Sequence, residues 1–235
     1  LVLQQGLGGY EGVDDTYLDA WFQADNMGAQ TTLSVRQNNI RSSLLRYDLR
    51  SIPQDAAIRE ATLNLWVHEV CGQGPMCIQV YMIRRPWRED VATWLEADLG
   101  VSWADGGAGG AALDYEERLV EDASFDSAQQ WLSIDIAPAV QYWVRHPEAN
   151  FGLVIKGVGS TSGESRFASS QWETRQQRPR MLLTYERAPS QAHSAWIRLL
   201  QKMNPLQWLG IITSVVAVLL LLVAAGIPSK VRSRR

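Results

Sequence analysis

The sequence predicts an all-β domain, an antiparallel β-sandwich, followed by a short amphipathic helix at the membrane surface and one transmembrane helix. Two observations lead to this prediction. Apolar and polar residues alternate through much of residues 1–187, which is the period of half-buried strands. Residues 206–227 then carry no charge, and a helix of this length measures ~33 Å, enough to cross a bilayer.

The strands follow from the alternating runs. Clusters of Gly, Pro, Asn and Asp separate these runs, as expected for antiparallel strands joined by turns. One short helix is predicted near 138–144, and the stretch 97–130, rich in Gly and Ala, is predicted to form surface loops. The predicted strands lie at or near 31–35, 42–49, 63–67, 78–82, 132–136, 151–155, 165–170 and 181–185.

An ordered series of short motifs resembles the DNRLRE domain over about residues 3–187. The resemblance implies a jelly-roll β-sandwich similar to carbohydrate-binding modules, found on secreted and surface proteins of bacteria and archaea. Two positions depart from the family pattern, Gln171 in place of Glu and Ala137 in place of Thr. The motifs are Asp15-Thr16-Tyr17-Leu18, Asn26-Met27-Gly28, Leu44-Leu45-Arg46-Tyr47-Asp48-Leu49, Ile52-Pro53, Ala61-Thr62-Leu63-Asn64-Leu65, Pro86-Trp87-Arg88-Glu89, Ala92-Thr93-Trp94, Asn150-Phe151-Gly152-Leu153, Phe167-Ala168-Ser169-Ser170 and Arg178-Pro179-Arg180-Met181.

The two cysteines, Cys71 and Cys77, flank a turn-forming segment between two predicted strands. This spacing predicts a hairpin disulfide, which is consistent with export to an oxidising compartment. The alternative is a pair of reduced thiols.

Oxygen-bearing side chains concentrate near the start of the chain. Calcium binds six to eight such oxygens, so the segment is a candidate calcium site, although it lacks EF-hand spacing. The alternative is a solvated acidic loop, and no other cofactor is predicted. The candidate ligands are Glu11, Asp14, Asp15, Asp25 and Asn26.

The chain contains ten tryptophans, and an exposed indole can stack on a sugar ring. Four of them stand at motif positions and are predicted to lie in the core or to anchor loops: Trp87, Trp94, Trp103 and Trp143. Four others are candidates for binding carbohydrate or a partner, with core packing as the alternative: Trp21, Trp66, Trp131 and Trp172.

Charge divides the chain into two parts. Residues 1–187 hold all 25 acidic residues and 16 of the 22 basic ones, whereas residues 188–235 hold six basic residues and no acidic one. An acidic domain argues against nucleic acid as a partner, because phosphate binding requires a basic surface.

The tail 228–235 carries four basic residues, and short basic flanks remain on the cytoplasmic side of a membrane. The domain 1–187 is therefore predicted to be extracytoplasmic in a single-pass cell-membrane protein. Such export implies a signal segment ahead of Leu1.

Residues 188–204 are predicted to form a linker and an interfacial amphipathic helix, with a plain linker as the alternative. The transmembrane helix is predicted at 205–227, with Trp196 and Trp208 at the membrane interface. Small residues on one side of it either pack against another helix or face lipid: Gly210, Ser214 and Ala217.

No catalytic constellation emerges from the sequence, and the protein is not predicted to be an enzyme. None of the three histidines lies in a recognised nucleophile motif. The favoured hypothesis is an accessory or structural subunit of a membrane protein complex, with the bilayer and other subunits as partners. The alternative is a surface-anchored carbohydrate-binding or adhesion module, and a hydrolase ranks third.

Overall fold

The computed structural model describes residues 1–187 except 73, 160 and 161. The described residues form thirteen strands, the helix α1 (Ala137–Arg145) and two 3₁₀ helices (Pro147–Ala149 and Arg175–Gln177). The strands are β1 (Val2–Gln4), β2 (Val13–Asp19), β3 (Thr32–Arg36), β4 (Arg41–Tyr47), β5 (Ala57–Cys71), β6 (Met76–Ile83), β7 (Glu96–Asp98), β8 (Val101–Ser102), β9 (Tyr115–Phe125), β10 (Gln130–Asp135), β11 (Leu153–Val158), β12 (Glu164–Ala168) and β13 (Arg180–Glu186).

Eleven of these strands belong to one curled antiparallel sheet. Its order is β1-β13-β5-β12-β3-β4-β11-β6-β9, with β10 also paired to β5 and β2 to β4. The strands β3 and β4 are joined through the single residue pair Arg36 and Arg41. The sheet thus has two halves, β2-β4-β11-β6-β9 and the strands around β5, which meet at this pair. The fold is all-β and sandwich-like, as the alternation predicted.

The main core shows why the sheet must curl. Leu63 and Leu65 of β5 share one buried cluster with Ile78 and Val80 of β6. These strands are five steps apart in the sheet, about 24 Å if it were flat, because neighbouring strands lie ~4.8 Å apart. The apolar residues of both halves of the sheet can be buried together only when the two halves face one another.

A second core covers the outer face of β4 and β11. Leu44 and Val154 point away from the main core and are buried beneath Trp87, Trp94 and Trp103. The segment after β6 that carries these tryptophans therefore packs on the sheet. This arrangement corrects the prediction of surface loops at 97–130, because the first part of that stretch packs in this core and a later part forms β9.

Glycines allow the backbone of the segment after β6 to approach the Trp94 ring closely. A Cβ on Gly107 would stand 2.2 Å from Trp94 Cζ3, and the residue has a positive φ of 71°. Glycine adopts such a conformation at little steric cost. The glycine run thus lies against a buried indole.

Helix α1 confirms the helix predicted at 138–144. Pro138 lies in the first turn, where an intrahelical N–H is not needed. Val140, Trp143 and Val144 are buried against the main core, which gives the helix its apolar side.

The predicted disulfide between Cys71 and Cys77 is not formed, and both thiols are free. The prediction assumed that β5 and β6 make a hairpin, whereas these consecutive strands lie in opposite halves of the sheet. Cys71 stands opposite Glu164 of β12, and Cys77 stands opposite Ser124 of β9. The chain crosses between the halves at this turn, so the two cysteines are not cross-strand neighbours.

Within the described part of the chain, no helix has the length and apolar character needed to span a bilayer. The predicted linker, transmembrane helix and basic tail (188–204, 205–227 and 228–235) lie outside the described residues. The same holds for the predicted interface and packing residues Trp196, Trp208, Gly210, Ser214 and Ala217.

Candidate functional site

Two adjacent aromatic residues, Trp21 and Phe22, stand in the turn that follows β2. Both are largely exposed, at 56% and 53%. Asp19 shapes the turn, because its carboxylate accepts a hydrogen bond from the Trp21 N–H (2.9 Å) and its carbonyl accepts one from the Phe22 N–H (3.2 Å). We call Trp21 and Phe22 the aromatic platform.

Two guanidinium groups support the platform. Arg36 Cζ lies 4.8 Å and Arg41 Cζ 5.1 Å from the Trp21 ring centroid. Because Arg36 and Arg41 are cross-strand partners, their side chains project from the same face of the sheet. Both guanidinium groups therefore contact the indole, while more than half of the Trp21 surface remains exposed.

A buried network of charges fixes these two arginines. Glu164 of β12 accepts hydrogen bonds from Arg36 (2.9 Å) and Arg41 (2.6 Å), and Arg41 also bonds Asp19 (2.7 Å). Burial tends to raise the pKa of Glu164, but the Arg36 bond and the charge of Arg41 outweigh burial and lower it. The charged network is thus preorganised beneath the indole.

A groove of about 590 Å³ lies beside Phe22. Its polar side chains offer both hydrogen-bond donors and acceptors, next to an aromatic surface. Such a combination fits a ligand that has an apolar face and several hydroxyl groups. The groove is lined by Tyr17, Asp19, Phe22, Ala24, Asp25, Asn26, Met27, Gln30 and Arg41.

Asn26 ties the loop that carries the platform to the segment after β6. Its Nδ2 donates to the carbonyls of Glu89 (2.7 Å) and Ala92 (2.8 Å), and its Oδ1 accepts from the Gly28 N–H (3.2 Å). A Cβ on Gly28 would stand 2.3 Å from the Glu89 carbonyl oxygen, so only glycine fits there. The loop is therefore held by side-chain and backbone contacts close to the groove.

Two acidic residues lie behind this loop. Asp15 is 1% exposed and accepts hydrogen bonds from the N–H and the hydroxyl of Ser170. Burial raises its pKa to about 7, partly offset by the Ser170 bonds. Glu89 is half-buried, burial likewise raises its pKa, and its Oε1 accepts a hydrogen bond from Gln171 (2.7 Å).

The predicted calcium ligands do not converge on one point. Asp14 pairs with Arg46 (2.7 Å) and Asp15 with Ser170, because neighbouring residues of β2 point to opposite faces. Glu11 bonds Gln5, and Asn26 directs its amide nitrogen to two carbonyls. Asp25 is exposed. Across the described residues no cluster of three or more His, Cys, Asp or Glu side chains is placed to hold a metal ion, which corrects the calcium prediction.

The other three candidate tryptophans lie on the half of the sheet around β5 and are partly buried. Trp66 and Trp131 are cross-strand partners with ring centroids 5.4 Å apart, and Arg180 lies 4.2 Å from the Trp131 ring. Trp172 contacts His68 (4.7 Å) and donates its indole N–H to Gln177. These three indoles have protein partners and do not join the platform.

Sequence reasoning singled out Trp21, Asp25 and Asn26 but missed Phe22, Arg36 and Arg41. The Trp21-Phe22 pair could have indicated an exposed aromatic from the sequence alone. Adjacent side chains point in different directions, so two large aromatics in succession cannot both enter one core. The sequence around Arg36 and Arg41 did not indicate a role at the site, because that role depends on Glu164, more than 120 positions away in sequence.

The part of the chain that carries this site matches the model of a known protein family. Residues 9–99 match the model of carbohydrate-binding module family 96. The match covers less than half of the chain, yet it includes β2 to β6, the platform and every residue that lines the groove. Trp87 and Trp94, which cover the outer face of β4 and β11, also lie within the segment matched to carbohydrate-binding module family 96. No curated protein matches the chain.

Proposed function

We propose that the domain formed by residues 1–187 is a non-catalytic carbohydrate-binding module that binds sugar at the aromatic platform and its groove. One observation carries this proposal. Trp21 lies inside the segment matched to carbohydrate-binding module family 96, and it is 56% exposed although two arginines contact its ring.

The geometry supports stacking. A pyranose ring has an apolar face that packs on an indole, and burial of that face is favourable because it removes apolar area from water. The Glu164 network holds the supporting arginines before the ligand arrives, so little side-chain freedom is lost on binding. The hydroxyl groups of the same sugar can then bond the polar side chains of the groove.

The membrane-subunit hypothesis rests on residues 188–235, outside the described part of the chain, and the family match favours its alternative. We therefore place carbohydrate binding first. The extracytoplasmic location of the domain remains part of the proposal, because surface polysaccharide is the ligand such a module would meet.

The test is binding of the full-length protein to an array of plant, algal and microbial polysaccharides. For any ligand found, Trp21→Ala should weaken binding by about 2 kcal/mol, roughly 30-fold, as is typical for a central aromatic contact. The matched control is Tyr142→Ala, which removes an exposed aromatic on α1, away from the groove. No polysaccharide bound, or equal affinity of Trp21→Ala and wild type, would contradict the proposal.

A further inference from the structure

The charged network beneath the aromatic platform is electrically balanced. Three arginines share three carboxylates, and their ion pairs measure 2.6–3.3 Å. The members are Arg36, Arg41, Arg166, Glu164, Asp19 and Glu69. Glu164 pairs with all three arginines, and each of the other two carboxylates pairs with one of them. The formal charges cancel, so the network carries no net charge that would attract an anion to the platform.

Among the described residues that line the groove, Asp25 is the one charged residue without an ion-pair partner. The other two charged residues of the lining, Asp19 and Arg41, are paired with each other (2.7 Å). Asp25 is exposed, and its carboxylate forms no hydrogen bond or ion pair with any described residue. The groove therefore carries one negative charge that the protein does not compensate.

Backbone bonds hold Asp25 next to Phe22. The Asp25 N–H donates to the Phe22 carbonyl (3.0 Å), so the two residues are the first and last of a β-turn, with Cα atoms less than about 7 Å apart. The following residue, Asn26, is fixed by its bonds to Glu89, Ala92 and Gly28. The carboxylate thus stands beside an exposed aromatic residue before a ligand arrives.

A carboxylate in this place selects a ligand by its donors and by its charge. Its two oxygens accept hydrogen bonds and donate none, so a ligand that bonds to both must present two donors side by side. Adjacent hydroxyl groups of a sugar ring meet this requirement, and hydrogen bonds to a charged acceptor are stronger than those to a neutral one. A carboxylate or sulfate group on the sugar would instead meet a like charge.

We propose that Asp25 is the specificity-determining residue of the groove. It binds two adjacent hydroxyl groups of a neutral sugar that lies on the aromatic platform, and it disfavours carboxylated and sulfated sugars. This inference rests on the proposed function, because it concerns the same site. It adds the class of polysaccharide, which is neutral and rich in adjacent hydroxyl groups, and the residue that selects it.

The first test compares polymers that share a backbone and differ in charge. Binding of the full-length protein is measured at low salt to hydroxyethyl cellulose and carboxymethyl cellulose, and to dextran, carboxymethyl dextran and cationic diethylaminoethyl dextran. We expect Trp21-dependent binding of a neutral polymer and about fivefold weaker binding of its carboxymethyl form. Equal or tighter Trp21-dependent binding of a carboxymethyl form overturns the proposal. Tighter binding of the cationic form that Asp25→Asn abolishes also overturns it, because Asp25 would then bind an amine.

The second test uses Asp25→Asn, which keeps the size of the side chain and removes its charge. We expect about fivefold weaker binding of the neutral polymer, and a preference for it over the carboxymethyl form that is about threefold smaller. Asp55→Asn is the matched control, because Asp55 is also exposed, lies outside the groove and gives the same change in net charge. An unchanged preference in Asp25→Asn, or the same change in both variants, overturns the proposal.

Salt provides a readout that a purely structural role of Asp25 would not change. In about 1 M NaCl the Debye length falls to about 3 Å, so the wild-type preference for the neutral polymer should decrease toward that of Asp25→Asn. A preference that persists in wild type at this salt concentration would show that it does not arise from the charge of Asp25, and would overturn the proposal.

Trp21→Ala distinguishes the failure of this inference from the failure of the proposed function. Trp21-dependent binding that Asp25→Asn does not alter leaves the carbohydrate-binding module in place and removes only the role of Asp25. The absence of Trp21-dependent binding to any polysaccharide overturns both.

Discussion

Ser170 donates two hydrogen bonds to the buried carboxylate of Asp15, one from its N–H (2.7 Å) and one from its hydroxyl (2.9 Å). These bonds connect β2, in one half of the sheet, to the segment that follows β12, in the other. The next residue, Gln171, bonds Glu89, whose carbonyl in turn accepts from Asn26 in the loop of the platform. Three hydrogen-bonded contacts thus link Asp15 to Asn26, which lines the groove.

The raised pKa of Asp15 predicts a loss of stability with rising pH. Its folded pKa of about 7 lies above the ordinary value of 3.8, so between these values the folded state retains a proton that the unfolded state has released. The contribution of Asp15 to the free energy of unfolding therefore falls as the pH rises from about 4 to 7. Asp15→Asn mimics the protonated group and should abolish this contribution.

Chemical denaturation of wild type and Asp15→Asn at several pH values measures this difference. The variant should gain stability relative to the wild type as the pH increases toward 8, and Asp25→Asn, an exposed control, should not. A constant difference across the pH range would show that Asp15 ionises in the folded protein at its ordinary pKa.

Glu164→Gln should weaken both the fold and ligand binding at the platform. The substitution leaves two partly buried guanidinium groups without their shared carboxylate, and breaking a largely buried ion pair costs roughly 2–4 kcal/mol. Glu186→Gln is the matched control, since the pair of Glu186 with Arg59 is exposed and such pairs contribute little to stability. Denaturant unfolding measures the free energy of unfolding of both variants. Similar losses of stability would mean that the Glu164 network stabilises the fold no more than an exposed ion pair does.

Gly28→Ala should disturb the loop of the platform. Because the new methyl group would collide with the Glu89 carbonyl, either the loop or the segment after β6 must shift, at a cost of about 1–3 kcal/mol. We expect lower stability and weaker polysaccharide binding, whereas Ala29→Ser, at the exposed next position, should leave both unchanged. Wild-type binding and unfolding in Gly28→Ala would argue against a fixed loop.

Both cysteines should be titratable as free thiols. In the native protein Cys71 should react with a maleimide faster than the less exposed Cys77, because access limits the reaction. Cys71→Ser should keep the melting temperature of the wild type, since no covalent link is lost. Mass spectrometry counts the labels, and an unlabelled protein that gains two labels only after reduction would restore the disulfide hypothesis.

Local periodicity was sufficient for much of the fold. The alternation of Leu63, Leu65 and Val67 located a strand and identified its buried face, because side chains of a strand alternate sides whatever the strand pairs with. The apolar side of α1 was likewise visible in sequence. The burial of Trp87, Trp94, Trp103 and Trp143 also agrees with their predicted place in the core or as loop anchors.

The sequence did not show which strands pair or which side chains come together at a site, because both depend on residues far apart in the chain. Only the tertiary structure showed that β5 and β6 lie in opposite halves of the sheet, which separates Cys71 from Cys77. It also gave the clustered carboxylates of β2 different partners, since successive side chains face different surroundings.

The candidate site, too, was visible in the sequence only in part. The sequence alone left Trp21 among the four tryptophans that stand neither at the core and loop-anchor motif positions nor at the predicted membrane interface, and it was therefore a candidate for an exposed aromatic. Only the tertiary structure brought Glu164 of β12 beneath Arg36 and Arg41 and so fixed the support of the indole. The physical reason is that strand period is a property of neighbouring residues, whereas a charge network at the junction of two sheet halves exists only after the chain has closed on itself.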